Sequence, residues 1–270
     1  MILRRLYLYL VSAAALGTLA AGLSALGYTL LMFVFNDPNA ESSRGALAGA
    51  TAATVVALLV WGVHFWFARR YAYRDPAERA SAIRRLYVYW ACLVMSIGAV
   101  IALDSAISNF LHPLLDCAPL NSAFVYRPFD CTSTNLQATS QALWITVVLG
   151  ALWALHYRIA VRDRAAVGEQ GRSASLRRWY MYPALLVGLL MMLSGGASLI
   201  ILIWLRLVDS TLGTDQSRYM GDAAGLLIGG LVLWGFHARV LAQSYLEDDR
   251  KSTLRALEGF VAVAVSMVFA

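Results

Sequence analysis

The sequence predicts an all-α integral membrane protein of tandem two-helix repeats, and three observations predict it. The 270 residues are 60% hydrophobic and only 14% charged, with a mean hydropathy of +0.62. So few charged groups cannot cover a water-soluble globule. The apolar residues also gather in runs of about 20, the length at which a helix crosses about 30 Å of hydrocarbon. Finally, one pair of opening and closing motifs returns three times along the chain. Six Pro, 20 Gly and three Cys in so apolar a chain exclude disordered, collagen-like and disulfide-scaffold classes.

Seven runs qualify as transmembrane helices. None alternates polar and apolar residues as a barrel strand does, and a helix pairs its own backbone groups inside lipid. Leu6 to Phe35 follows the Arg4-Arg5 pair and far exceeds the apolar core of a signal peptide, so it reads as a retained span. Leu47 to Ala68, Leu86 to Leu111, Gln137 to Ala160, Trp179 to Leu207 and Ala223 to Ala242 follow. The seventh, Leu254 to Ala270, opens where a fourth repeat is due and stops inside an apolar stretch. The expectation is therefore a longer natural chain with eight helices or more.

Basic residues orient the spans. Eighteen of the 22 Lys and Arg lie at the N-terminus and in the segments joining even helices to odd ones, leaving only Arg44, Arg127, Arg206 and Arg218 on the other side. That asymmetry predicts a cytoplasmic N-terminus and accounts for the net charge of +6 without nucleic acid.

The repeat opens at Arg4-Arg5-Leu6-Tyr7-Leu8-Tyr9, Arg84-Arg85-Leu86-Tyr87-Val88-Tyr89 and Arg177-Arg178-Trp179-Tyr180-Met181-Tyr182. It closes at Trp61-Gly62-Val63-His64, Trp153-Ala154-Leu155-His156 and Trp234-Gly235-Phe236-His237. First Arg to His is 60 residues in copies one and three and 72 in copy two, whose outer loop is longer. The chain then reads as one transmembrane domain, 1–270, with repeats over 4–70, 84–160 and 177–242 and a partial fourth over 251–270. Copies of one unit in one membrane are parallel repeats about an axis along the membrane normal. Small residues at the aligned positions Gly22, Ala102 and Gly195 let helices approach closely, with the odd helices innermost.

The Arg-Arg-x-Tyr-x-Tyr opening, followed by a long helix rich in small residues, resembles the bacterial membrane family catalogued as domain of unknown function 5671. Members of that family also occur as tandem helical pairs. The resemblance extends over essentially the whole chain. It implies a repeated membrane-spanning fold and brings neither an activity nor a site residue with it.

Four features bear on chemistry. His64, His156 and His237 share one repeat position, where imidazoles turned to a common axis would ligate a haem b or a metal. Each also lies three residues after a Trp, and anchoring at the lipid-water interface is the reading preferred over ligation. Arg5, Tyr9, Trp61, Arg85, Tyr89, Trp153, Arg178, Tyr182 and Trp234 read as the matching aromatic and cationic belt, attracted to anionic headgroups. Asp104 is the clear carboxylate within a span, and Arg206 is its expected ion-pair partner, a structural role rather than a proton relay. Cys117 and Cys131, in the long outer loop, are expected to form a disulfide on an oxidising face. Cys92, inside a span, reads as a small buried hydrophobe.

There is no phosphate-binding glycine loop, zinc-protease motif or nucleophile elbow, and the one lysine, Lys251, lies outside every span. The reading is a non-catalytic scaffold or accessory subunit of a bacterial inner membrane, not an enzyme and without a cofactor. It packs with lipid and with other membrane-protein subunits, and the Cys117 to Cys131 loop docks outside. Its rivals are a small-solute transporter or channel and a haem b electron carrier using the repeated histidines.

Overall fold

The computed structural model describes residues 2–116, 131–169, 171–208, 217–243, 259–261 and 263. Among them the chain is helical throughout: α1 Ile2–Val34, α2 Arg44–Arg74, the single turn α3 Pro76–Arg79, α4 Ala82–Asp116, α5 Cys131–Val167, α6 Arg172–Val208 and α7 Ser217–Gln243. All but α3 are long and apolar enough to cross a membrane, and they correspond to the first six runs of the sequence. Of the seventh run, only residues 259–261 and 263 are among those described, and they are helical. The described residues therefore hold six candidate spans rather than seven.

Each helix outruns its apolar stretch. α2 continues past Ala68 through Arg69, Arg70 and Arg74, and α6 begins at Arg172 before the apolar run starts. Hydropathy marks where lipid ends, whereas the helix persists until a capping group stops it. For α1 that group is Asn36, held at φ 52 with its N–H on Phe33 O at 3.2 Å while Asp37 N–H reaches Met32 O at 2.9 Å. This is a Schellman closure built on Asn in place of Gly. α3 starts with Pro76 in its first turn, and the Asp75 carboxylate accepts the Ala77 N–H at 2.9 Å.

The spans pack as three antiparallel pairs. Tyr7 meets His64 and Gly22 meets Thr54 across α1 and α2; Tyr87 meets His156 and Gly98 meets Leu149 across α4 and α5. Tyr180 meets His237, Gly188 meets Trp234 and Gly195 meets Leu227 across α6 and α7. The expected close approach at Gly22 and Gly195 is present, since a Cβ at Gly22 would lie 2.7 Å from Thr54 Oγ1 and one at Gly195 would strike the Leu227 backbone.

Between pairs, the first helix of one hairpin packs on the second helix of the next: α1 on α5, and α4 on α7. α4 also touches α1 and α6, so it lies in the middle, whereas α2 packs chiefly on α1. The main core cluster sits toward the end bearing the Arg pairs, with Tyr9, Tyr87, Val88, Cys92, Tyr180 and Met181 all buried. The expectation of inner odd helices holds for α4 and α1. It fails for α6, which is the most exposed of the spans in its most apolar window.

Candidate functional site

The repeated Tyr and His positions form a hydrogen-bonded chain. In a helix the His ring reaches back one turn, and Nδ1 of His64, His156 and His237 lies 2.8 Å from the carbonyl of Val60, Leu152 and Leu233 respectively. A carbonyl only accepts, so Nδ1 carries the proton and Nε2 is left as an acceptor. Nε2 then takes the hydroxyl of the first repeat tyrosine: Tyr7 to His64 at 3.2 Å, Tyr87 to His156 at 3.0 Å and Tyr180 to His237 at 2.8 Å.

The phenol oxygen accepts in turn from the preceding hairpin. Trp61 Nε1 donates to Tyr87 at 3.1 Å, and Trp153 Nε1 donates to Tyr180 at 3.1 Å. Every donor in these two chains therefore finds an acceptor, and each chain crosses from one hairpin to the next. Trp234 holds the same place in the third hairpin, and its indole forms no hydrogen bond among the described residues. The second repeat tyrosines complete the seams by ring contact, Tyr9 on Tyr87 at 5.6 Å and Tyr89 stacked on Tyr180 at 5.9 Å.

Ion pairs lie nearer the helix ends, on carboxylates supplied by α3, by α5 and by the residues just after it. Glu78, positioned by α3, accepts from Arg5 at 2.7 Å and lies 3.8 Å from Arg4. Asp163 accepts from buried Arg84 at 2.7 Å, and Arg84 also donates to the Tyr9 hydroxyl at 3.2 Å. Glu169 receives the Tyr89 hydroxyl and lies 3.5 Å from Arg85 and 3.7 Å from Arg177, while Arg85 also donates to Gly168 O at 3.2 Å. Arg85 and Glu169 are each 1% exposed. Burial of charge is tolerable here because each charge has a counter-charge and further hydrogen bonds.

Several expectations need correction. Tyr9, Tyr89, Tyr182 and Arg85 are buried in the protein and do not face lipid. Arg5 serves Glu78, Trp61 and Trp153 serve the tyrosines, and Arg178 and Trp234 are half-buried. The exposed aromatic belt consists instead of Tyr7, Trp66, Tyr73, Trp90 and Trp179. His156 and His237 are likewise buried, not interfacial.

The three imidazoles do not fit a haem. Each belongs to a different hairpin, both nitrogens of each are bonded, and the neighbouring rings are Tyr, Trp and Phe.

Asp104 and Arg206 form no ion pair. Arg206 reaches Met220 Sδ at 3.7 Å, whereas Asp104 sits against α7 over Gly225. Asp104, Ser108 and His112 recur every fourth residue on α4, opposite Gly221, Asp222 and Gly225 on α7; Ser108 donates to Gly221 O at 3.2 Å and His112 Nε2 lies 3.4 Å from Asp222. This polar strip was readable from the matching four-residue spacing of Gly221 and Gly225, as were Glu78, Asp163 and Glu169 from their placing amid the Arg-rich segments. The Cys117–Cys131 pairing lies outside the described residues, among which Cys92 is a free, buried thiol.

The fold and its seams define a helical membrane protein whose hairpins are joined by hydrogen bonds and ion pairs. Residues 5–129 match the family described as Domain of unknown function (DUF5671). The match covers the first hairpin and α4 and stops at residue 129, short of the whole-chain extent expected. No curated protein and no solved structure matches the chain.

Proposed function

We propose that the protein is a non-catalytic scaffold or accessory subunit of a bacterial inner membrane, made of parallel tandem hairpins with the Arg-rich end in the cytoplasm. One observation carries this reading: buried polar side chains of the Arg-rich end bond one hairpin to the next, Trp61 to Tyr87, Arg84 to Tyr9 and Trp153 to Tyr180. Such groups are held for joining. The next place in the series is Trp234, whose N–H, without an acceptor among the described residues, fits a further helical segment offering a tyrosine hydroxyl, from the chain beyond Gln243 or from another membrane subunit. Farther along α6, Ile200, Ile201 and Trp204 are exposed.

Blue-native electrophoresis after mild extraction tests the proposal. A high-mass species is expected, weakened by Trp234→Phe, which keeps the ring and deletes the donor. Migration as a lone monomer in every mild detergent overturns it.

A crevice of about 250 Å³ bordered by Ser96, Leu103, Thr146 and Phe236 favours the second reading, a pocket or pathway for a small apolar solute. Labelling of Ala99→Cys by a water-soluble maleimide would select that reading.

A further inference from the structure

We propose that the first hairpin seam holds the phosphate headgroup of an anionic phospholipid. Between α2 and α5, beside Trp61 and Leu155, a cavity of about 690 Å³ opens along the exposed side of α2. Its inner part is apolar, formed by Trp61, Phe65 and Leu155; its outer part is cationic, formed by Arg69, Arg70 and Arg74. Trp61 and Arg70 stand nine residues apart on one helix, about 13 Å along its axis. The rings therefore lie at acyl depth when the guanidinium groups lie at headgroup depth.

The cations there are not neutralised from within. A smaller adjoining crevice shares Arg69 and Tyr73 and adds Arg79, Arg84 and Arg162, with Asp163 as its one carboxylate. Asp163 is already bonded to Arg84 at 2.7 Å and lies 3.7 Å from Arg79. Among the described residues, Arg69, Arg70, Arg74 and Arg162 pair with no carboxylate. Two of them are held in place without one: Arg69 donates to the Tyr73 hydroxyl at 3.1 Å, and the Arg70 guanidinium lies 5.1 Å from the Trp66 ring. A planar guanidinium presents paired donors that match phosphate oxygens.

The repeat supplies an internal control. Counting from the repeated His, Arg69 corresponds to Val161 and Ala242, Arg74 to Ala166 and Glu247, and Trp66 to Arg158 and Arg239, whereas Arg70 alone of the three arginines meets another, Arg162. The crevice at the second seam, lined by Tyr157, Val161 and Arg164, shrinks to about 10 Å³, against about 70 Å³ at the first. What folding demands of every copy does not demand this cluster, so it serves something the first hairpin alone does. The inference rests on the membrane placement and not on assembly with other subunits.

The test uses the purified full chain in detergent, with lipid binding read by native mass spectrometry. Phosphatidylglycerol is expected to bind and phosphatidylcholine, with no net charge, to bind far more weakly; this comparison requires no variant. Arg70→Gln with Arg74→Gln changes two exposed, unpaired side chains and is expected to weaken phosphatidylglycerol about thirtyfold, each surface cation contributing about equally. Arg158→Gln with Arg239→Gln, exposed cations at the positions that match Trp66, is expected to leave binding unchanged. Equal retention of both lipids, or equal loss in both double variants, overturns the proposal. Displacement of the lipid by inorganic phosphate at matched concentration also overturns it, assigning the pocket to a soluble phosphate. Monomeric migration in native gels leaves this inference standing, so the two proposals fail separately.

Discussion

Tyr87 illustrates how much one hydroxyl does in this protein. It accepts from Trp61 and donates to His156, so Tyr87→Phe strands an indole N–H and a ring nitrogen in a buried site. We expect a loss of about 1–3 kcal/mol, and the same for Tyr180→Phe, in unfolding by denaturing detergent titrated into mixed micelles. Tyr7→Phe removes the equivalent bond from a phenol that is 59% exposed and lacks a Trp donor, so its cost should fall below about 0.5 kcal/mol. Equal costs at all three positions would refute the seam as a stabilising device. Arg84 offers a harsher case. Asp163→Asn leaves its guanidinium 3% exposed and facing a neutral amide, for an expected cost of about 3–5 kcal/mol by the same titration. These roles were only half legible in the sequence. The repeated Trp, Tyr and His showed that a position mattered three times over, yet an aromatic beside an arginine near a span end also describes a residue facing lipid. Direction around the helix separates Tyr9, buried, from Tyr7, exposed, and an all-apolar helix gives little periodicity from which to read it.

The hairpins set where glycine is tolerated. Gly230 of α7 abuts Met192 and the Gly188 carbonyl of α6, and a Cβ there would meet backbone, which cannot rotate away. Gly230→Ala should therefore force the pair apart and cost about 1–3 kcal/mol. Gly17 of α1 has nothing within 4 Å of an added Cβ, so Gly17→Ala should be neutral or stabilise by about 0.5–1 kcal/mol. Circular dichroism followed through detergent denaturation compares the two, and a destabilised Gly17→Ala would contradict the packing described. The spans themselves were plain in the sequence because lipid enforces about 20 apolar residues per crossing. Their ends were not: Arg69 to Arg74 continue α2 beyond the apolar run, since a charged residue leaves hydrocarbon without leaving the helix. The pairing of α1 with α2, α4 with α5 and α6 with α7 followed directly from the repeat.

Taken together, the helices form a row of pairs with α4 in the middle and α2 and α6 toward the margins. The two margins differ in chemistry. Among the described residues, that at α2 carries guanidinium groups without a carboxylate partner and exposed aromatic rings, and that of α6 and α7 carries an indole without a hydrogen-bond acceptor. A lipid at one and a protein at the other is the division these differences support, and the lipid-retention and native-gel measurements probe them independently. The seams also have a direction: the earlier pair always contributes the indole and the later pair the phenol. A polypeptide emerges from the ribosome N-terminus first, so the indole at each seam is made before the phenol it serves.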